Sequence, residues 1–118
     1  VVVMGHTHCG AIQATFDAVE GKNPAITENI HDIVKRIEPH IHRYILGRDR
    51  PKDKAKARRA AMRANVRASA NYLRHSSRFL EEMVRLNELL IVAAENDIDT
   101  GEIEFVDLHP PRRRSRKP

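Results

Sequence analysis

The residues best equipped for chemistry are His6 and Cys9, which stand in the segment Gly5-His6-Thr7-His8-Cys9-Gly10. An imidazole and a thiolate three residues apart can bind one metal ion, and soft sulfur paired with borderline nitrogen suits zinc. Cys9 is the only cysteine, so no internal disulfide competes for it. Gly10 can leave its backbone amide open to an anion held near the metal. The spacing by itself is weak evidence, because short His-x-x-Cys matches arise by chance and unpaired cysteines are commonly inert core residues. The elements around it therefore decide its weight.

Those elements form a strand, a tight turn and a helix. Val1-Val2-Val3-Met4 is an apolar, β-branched run that predicts a buried strand. A strand ending at Gly5 places His6 at the carboxyl edge of a sheet, where α/β folds gather ligands. A short helix beginning at Ala11 and reaching about Val19 puts Cys9 near a helix N-terminus, where free amides and the helix dipole favour a thiolate. Gly21, Asn23 and Pro24 end that helix.

Further along, Thr27 predicts an N-cap for a helix through Leu46, with Ile30, Ile33, Val34, Ile37, Ile41 and Ile45 in helical period. Pro39 is expected to bend or divide it. After a loop at 47–51, a basic, Ala-rich helix spans about 52–74, with Ala60, Met62, Val66, Ala70 and Leu73 as its inner side. Ser76 or Ser77 can cap another helix carrying Phe79, Leu80, Met83, Val84 and Leu86. Leu89–Ala94 returns to a buried-strand pattern, Asp99-Thr100-Gly101-Glu102 is a turn signal, and Ile103–Val106 is the second arm of a hairpin. The order predicts an α/β domain: a partly parallel sheet flanked by helices, its two core strands joined by a long helical crossover. Residues 1–108 form this domain, and 109–118 are expected to be a basic, disordered tail. Beginning on a core strand, the chain reads as the later part of something longer, truncated at its N-terminus.

The formal charge of +5 over 118 residues is segmental. The tail carries Arg112, Arg113, Arg114, Arg116 and Lys117 with no acid, and Arg48–Arg67 carries nine cations against Asp49 and Asp53. The rest of the chain is acidic. A basic helix could track phosphates, but Trp is absent, Tyr and Phe are few, and no nucleic-acid fold signature accompanies it. The run reads as a solvated helix face, which argues against nucleic acid as a partner. No apolar stretch approaches the ~20 residues of a membrane helix, so no membrane span is expected.

Around His6 and Cys9 the sequence resembles a known family. Val1–Thr15, "VVVMGHTHCGAIQAT", is similar to the second metal-ligand motif of the β-class carbonic anhydrases, and Asn65–Asp107 resembles that family's later helices, last core strand and closing hairpin. "IVKRIEPHI" at Ile33–Ile41 sits where the family often has a helix entering a proline. The resemblance implies a zinc enzyme that hydrates carbon dioxide reversibly to bicarbonate, with zinc lowering the pKa of a bound water. It assigns His6 and Cys9 as zinc ligands and Gly10 as the residue whose amide lies beside the substrate. It further implies a homodimer or higher homo-oligomer. A cytoplasmic location is expected, without an N-terminal signal in view.

Two departures from the family pattern stand out. The family's earlier Cys-x-Asp-x-Arg segment, which supplies another zinc-ligating Cys and an Asp–Arg pair, has no counterpart here. Ala93-Ala94-Glu95-Asn96 stands where members often show glycine and aromatics. Two ligands fall short of the three of a catalytic zinc, so this chain alone is expected to bind zinc weakly and to have little activity. The alternatives are a non-catalytic, oligomerising remnant of the fold, or a basic binder of nucleic acid or anionic surfaces. Of the other histidines, His8 reads as solvent-facing or proton-relaying rather than a ligand. His40 and His42 read as surface residues, and His31, His75 and His109 show no partner pattern.

Overall fold

The structure, a computed structural model, describes residues 1–22 and 27–108. The expected breakers Asn23 and Pro24 and the basic tail lie outside these. The order is β1 (Val2–His6), α1 (Gly10–Val19), α2 (Glu28–Ile45), α3 (Lys54–His75), α4 (Arg78–Arg85), β2 (Val92–Asn96) and β3 (Ile103–Asp107). The strands form one sheet in the order β1-β2-β3. β1 and β2 are parallel, with Gly5 opposite Glu95 and His6 opposite Asn96. β2 and β3 are antiparallel, with a bulge between Ala93 and Ala94. The α/β fold with a parallel pair and a long helical crossover is thus as the sequence predicts.

Local chemistry accounts for the helix boundaries. Thr27 accepts a hydrogen bond from Ile30 N, Asp53 from Lys56 N and Ser77 from Leu80 N, each side chain satisfying an amide of the first turn. α1 ends where Gly21 takes φ +72°, and the hairpin turns at Gly101, φ +75°, both conformations that glycine adopts without strain. α2 runs through Pro39 undivided. Pro39 and Lys35, whose carbonyl the proline deprives of a helical donor, both lie on the exposed side of the helix.

The core gathers Ile12 and Phe16 of α1, Ile37, Ile41 and Ile45 of α2, Met62 and Val66 of α3, and Ile91 with Ala93 before and on β2. α3 is the helix that lies against the strands, with α1 and α2 packed on it in turn. Its approach is close at Gly5. A methyl group there would collide with Val66 Cγ2 and would lie 2.7 Å from Met62 Sδ, so this strand position must stay bare for α3 to seat.

Two expectations are corrected, on the burial of β1 and on the basic run. β1 is not buried on both faces: with helices on one side of the sheet, Val2 (50% exposed), Met4 (46%), Ile103 (54%) and Phe105 (51%) leave the opposite face open. Side chains alternate along a strand, which puts Val2 and Met4 on that open side and Val3 and Gly5 under α3. On α4 no residue is fully buried, Phe79 being exposed and Val84 only leaning on the core. The basic run is not simply a solvated face, as the ion pairs described below show.

The Gly5 contact yields a prediction. Gly5→Ala is expected to lower unfolding free energy by about 2 kcal/mol, the usual cost of overpacking. Adding Val66→Ala recovers part of the loss, so the double variant is less damaged than the two separate costs imply. Urea denaturation of the three variants measures this, and strict additivity would show that the contact is absent.

Candidate metal centre

β1 delivers His6 to the carboxyl edge of the sheet, and the turn Thr7-His8 carries the chain into α1. Cys9 is the N-cap of that helix, with extended backbone (φ −69°, ψ 118°), and its carbonyl accepts from Gln13 N at 3.0 Å. Its side chain makes no capping hydrogen bond, which leaves the sulfur uncommitted. The first-turn amides of a helix have no intrahelical acceptor, so the sulfur sits beside donors and the positive end of the helix dipole.

The turn is fastened to the loop that follows β2. Thr7 N donates to the Asn96 carbonyl at 3.1 Å, and Thr7 Oγ1 accepts from Ile98 N at 3.1 Å. His8 takes the left-handed conformation, φ +56°, uncommon for a side-chain-bearing residue. Its Nε2 lies 2.8 Å from Asp99 Oδ2, with both side chains exposed. His8 is therefore solvent-facing, and it is tied to an acid whose role the sequence did not reveal.

His6 Nδ1 lies 2.7 Å from the carbonyl oxygen of Thr7. A carbonyl only accepts, so this contact places the proton on Nδ1 and leaves the Nε2 lone pair free. A backbone carbonyl on one ring nitrogen is the usual means of orienting a metal-binding imidazole. His6, Cys9 and Gly10 then line one cavity of about 500 Å³, whose other walls include Ile12, Ala55, Arg58, Arg59, Met62 and Asp99. A Cβ on Gly10 would meet nothing within 4 Å. Packing does not require glycine there, and its bareness keeps the cavity open at the start of α1.

The donors fit zinc in kind and not in number. A free imidazole nitrogen and a thiol at a helix N-terminus are good zinc donors. Among the described residues, however, no group of three or more His, Cys, Asp or Glu is placed to hold a metal ion. Asp99, the acid among the residues lining the cavity, is engaged by His8. Two donors are one short of the three protein ligands of a catalytic zinc.

Beside the cavity, α3 is fastened to the sheet by an ion-pair cluster that the sequence does not announce. Glu95, 1% exposed on β2, faces α3 and is held by two arginines of the basic run. Arg59 Nε lies 2.7 Å from its Oε1, and Arg63 Nε donates to its Oε2. Arg63 also reaches Glu104 of β3 at 2.9 Å, and Arg67 Nε donates to the Val106 carbonyl at 3.3 Å. Further along α3, the buried Arg74 donates to the Ile91 carbonyl at 2.6 Å and to Asp107 at 2.9 Å. The arginines project toward the sheet because its α3-facing side presents carboxylates. The helical spacing of Arg59, Arg63 and Arg67 was the available signal, since residues four apart share a face.

A family model described as carbonic anhydrase matches residues 1–103. Among solved structures, the chain is similar to tetrameric β-carbonic anhydrases of the filamentous ascomycete Sordaria macrospora, with TM-score 0.73 and 17% identity over 89% of this chain and 50% of that one. The β-carbonic anhydrase CcaA gives TM-score 0.69 and 16% identity, over 90% of this chain and 49% of that one. The β-carbonic anhydrase CafD of the filamentous fungus Aspergillus fumigatus, solved in a mutant form, gives 0.62 and 18%, over 89% and 55%. The chain thus spans about half the length of these solved relatives. No curated protein matches the sequence.

The Glu95 pairs generate the prediction for this region. Arg63→Ala leaves a buried carboxylate with Arg59 alone and is expected to cost about 3 kcal/mol. Pairing it with Glu95→Val removes the buried charge and restores part of that stability. A urea midpoint for Arg63→Ala indistinguishable from the parent would show that the pair carries no weight.

Proposed function

The chain belongs to the carbonic anhydrase family, in its β class, and from that premise we propose that it carries part of a site for the reversible hydration of carbon dioxide to bicarbonate. His6 and Cys9 are two of the zinc ligands in this reading, and Gly10 lies beside the substrate. The observation that supports it best is the orientation of His6. With Nδ1 on the Thr7 carbonyl and Nε2 free, in one cavity with the uncommitted Cys9, the side chain is prepared as a ligand rather than buried as a core histidine. Zinc held by a full ligand set supplies chemistry by lowering the pKa of water; the described donors fall short of that set.

Activity in this reading belongs to a longer form of the protein. Among the described residues, β1 is an edge strand, paired with β2 on one side only. A further parallel strand on its free edge would end beside His6, where an additional ligand is needed. The family's Cys-x-Asp-x-Arg segment is the kind of sequence that would supply it. The chain as it stands is expected to bind zinc no better than about micromolar, to lose that binding on His6→Ala or Cys9→Ser, and to leave carbon dioxide hydration at the uncatalysed rate. Isothermal titration and stopped-flow hydration measure both quantities. Nanomolar affinity at one metal per chain would overturn the incomplete-site reading.

A homo-oligomer belongs to the same proposal. The half-exposed Val2, Met4, Ile103 and Phe105 give the sheet an apolar open face, of the sort that marks an association surface. This face also supports the second reading, an association module without catalysis, which the hydration assay separates from the first. Sedimentation velocity is expected to show self-association of the chain, shifted toward monomer by Phe105→Glu. A monomeric parent would remove the oligomer from the proposal.

A further inference from the structure

The cavity that holds His6 and Cys9 also contains fixed charge, and almost all of it is already neutralised. Arg59 is committed to Glu95 at 2.7 Å and lies 3.6 Å from Glu104. His8 and Asp99 are paired with each other. Gln13 donates its side-chain amide to Asp17 at 2.8 Å. Arg58 is the exception: exposed on α3, it lines this cavity and an adjoining groove that also holds Asp17 and Glu20, and among the described residues its guanidinium takes part in no ion pair and no hydrogen bond. Ile12, Ala55 and Met62 supply apolar surface to the same cavity wall.

The reaction class proposed above converts a neutral molecule into a planar monoanion. We propose that Arg58 is the residue that holds this anion, so that the cavity contains a bicarbonate subsite built on the first turns of α3. This inference rests on the carbonic anhydrase reading and adds to it a residue outside the metal-ligand motif. A guanidinium suits the task because its planar fork of N–H donors matches two oxygens of a planar oxyanion, which an ammonium cannot do. The neighbouring Arg59 does not substitute, since its Nε is spent on a buried carboxylate.

The test uses the full 118-residue chain, isotopically labelled, titrated with sodium bicarbonate and, separately, with sodium chloride at matched ionic strength. NMR follows the Gly10 amide and the Arg58 Nε–H. Bicarbonate is expected to shift both resonances saturably, and chloride to leave them in place. Arg58→Gln weakens bicarbonate binding by about tenfold or more, the range of a charge-assisted contact. Arg58→Lys falls between, keeping the charge without the fork, and Lys56→Gln, an exposed cation outside the cavity, leaves affinity unchanged. Dispersed spectra for each variant establish that it is folded.

Three results overturn the subsite: no saturable shift with bicarbonate, equal affinity in Arg58→Gln, or a loss in Lys56→Gln as large as that in Arg58→Gln. A parallel zinc titration, read at the His6 ring and Cys9 resonances, keeps the two readings apart. If zinc shifts those resonances while bicarbonate ignores Arg58, the subsite falls and the carbonic anhydrase reading stands. If zinc leaves them unmoved, the metal-ligand assignment falls, and the Arg58 comparison still decides the anion site.

Discussion

The arrangement depends on one buried carboxylate. Glu95 lies almost wholly inside the protein, between a strand and a helix, and an ionised group there is tolerated only with partners at close range. Arg59 and Arg63 supply them from successive turns of α3. Because Glu95 is opposite Gly5 in the parallel pair, the same contact sets the height of α3 over the residue that precedes His6. The bare Gly5 then lets Met62 and Val66 close against β1. Charge pairing fixes the helix along the sheet, and the missing Cβ fixes how near it comes. The cavity at the carboxyl edge is what these two constraints leave open, and Arg59 belongs to both the ion pair and the cavity wall.

This constraint explains why one part of the molecule was legible in the sequence and another was not. The turn from β1 into α1, the Thr27 and Ser77 caps and the Gly101 hairpin turn are written in residues adjacent along the chain, where composition and spacing act directly. The apolar pattern stops at Ala94, yet β2 extends through Asn96 with Glu95 buried in it. What permits a buried glutamate in a strand is an arginine 32 positions earlier, and no local pattern announces a pairing over that distance. The same holds for Asp99, whose engagement with His8 spans 91 positions.

The open face of the sheet was misread for a related reason. A run of valines and a methionine satisfies the pattern of a strand buried on both sides, but burial depends on what is laid over each face. Here α3 covers one face and none of the described elements covers the other, so Val2 and Met4 share chemistry with Val3 and not its environment. The basic run was misread in the opposite sense. Its cations looked solvated because the acids that bind them lie on β2 and β3, far along the chain.

The division of charge along α3 gives that helix two distinct roles. Arg59, Arg63 and Arg67 face the sheet and find acceptors there; carboxylates cancel the charge of Arg59 and Arg63, and Arg67 is held by a backbone carbonyl. Arg58 is one residue from Arg59 and so points about a quarter-turn away around the helix; it borders the cavity, whose acid Asp99 is engaged by His8, and an adjoining groove that Asp17 and Glu20 line. Burying an arginine beside an acid holds elements together; leaving one uncompensated over an apolar wall creates a place for an anion. A helix that both anchors the sheet and presents one free guanidinium at the carboxyl edge can do so only if the anchoring residues and the free one lie on different faces, and the 3.6-residue repeat separates them with a single step along the sequence.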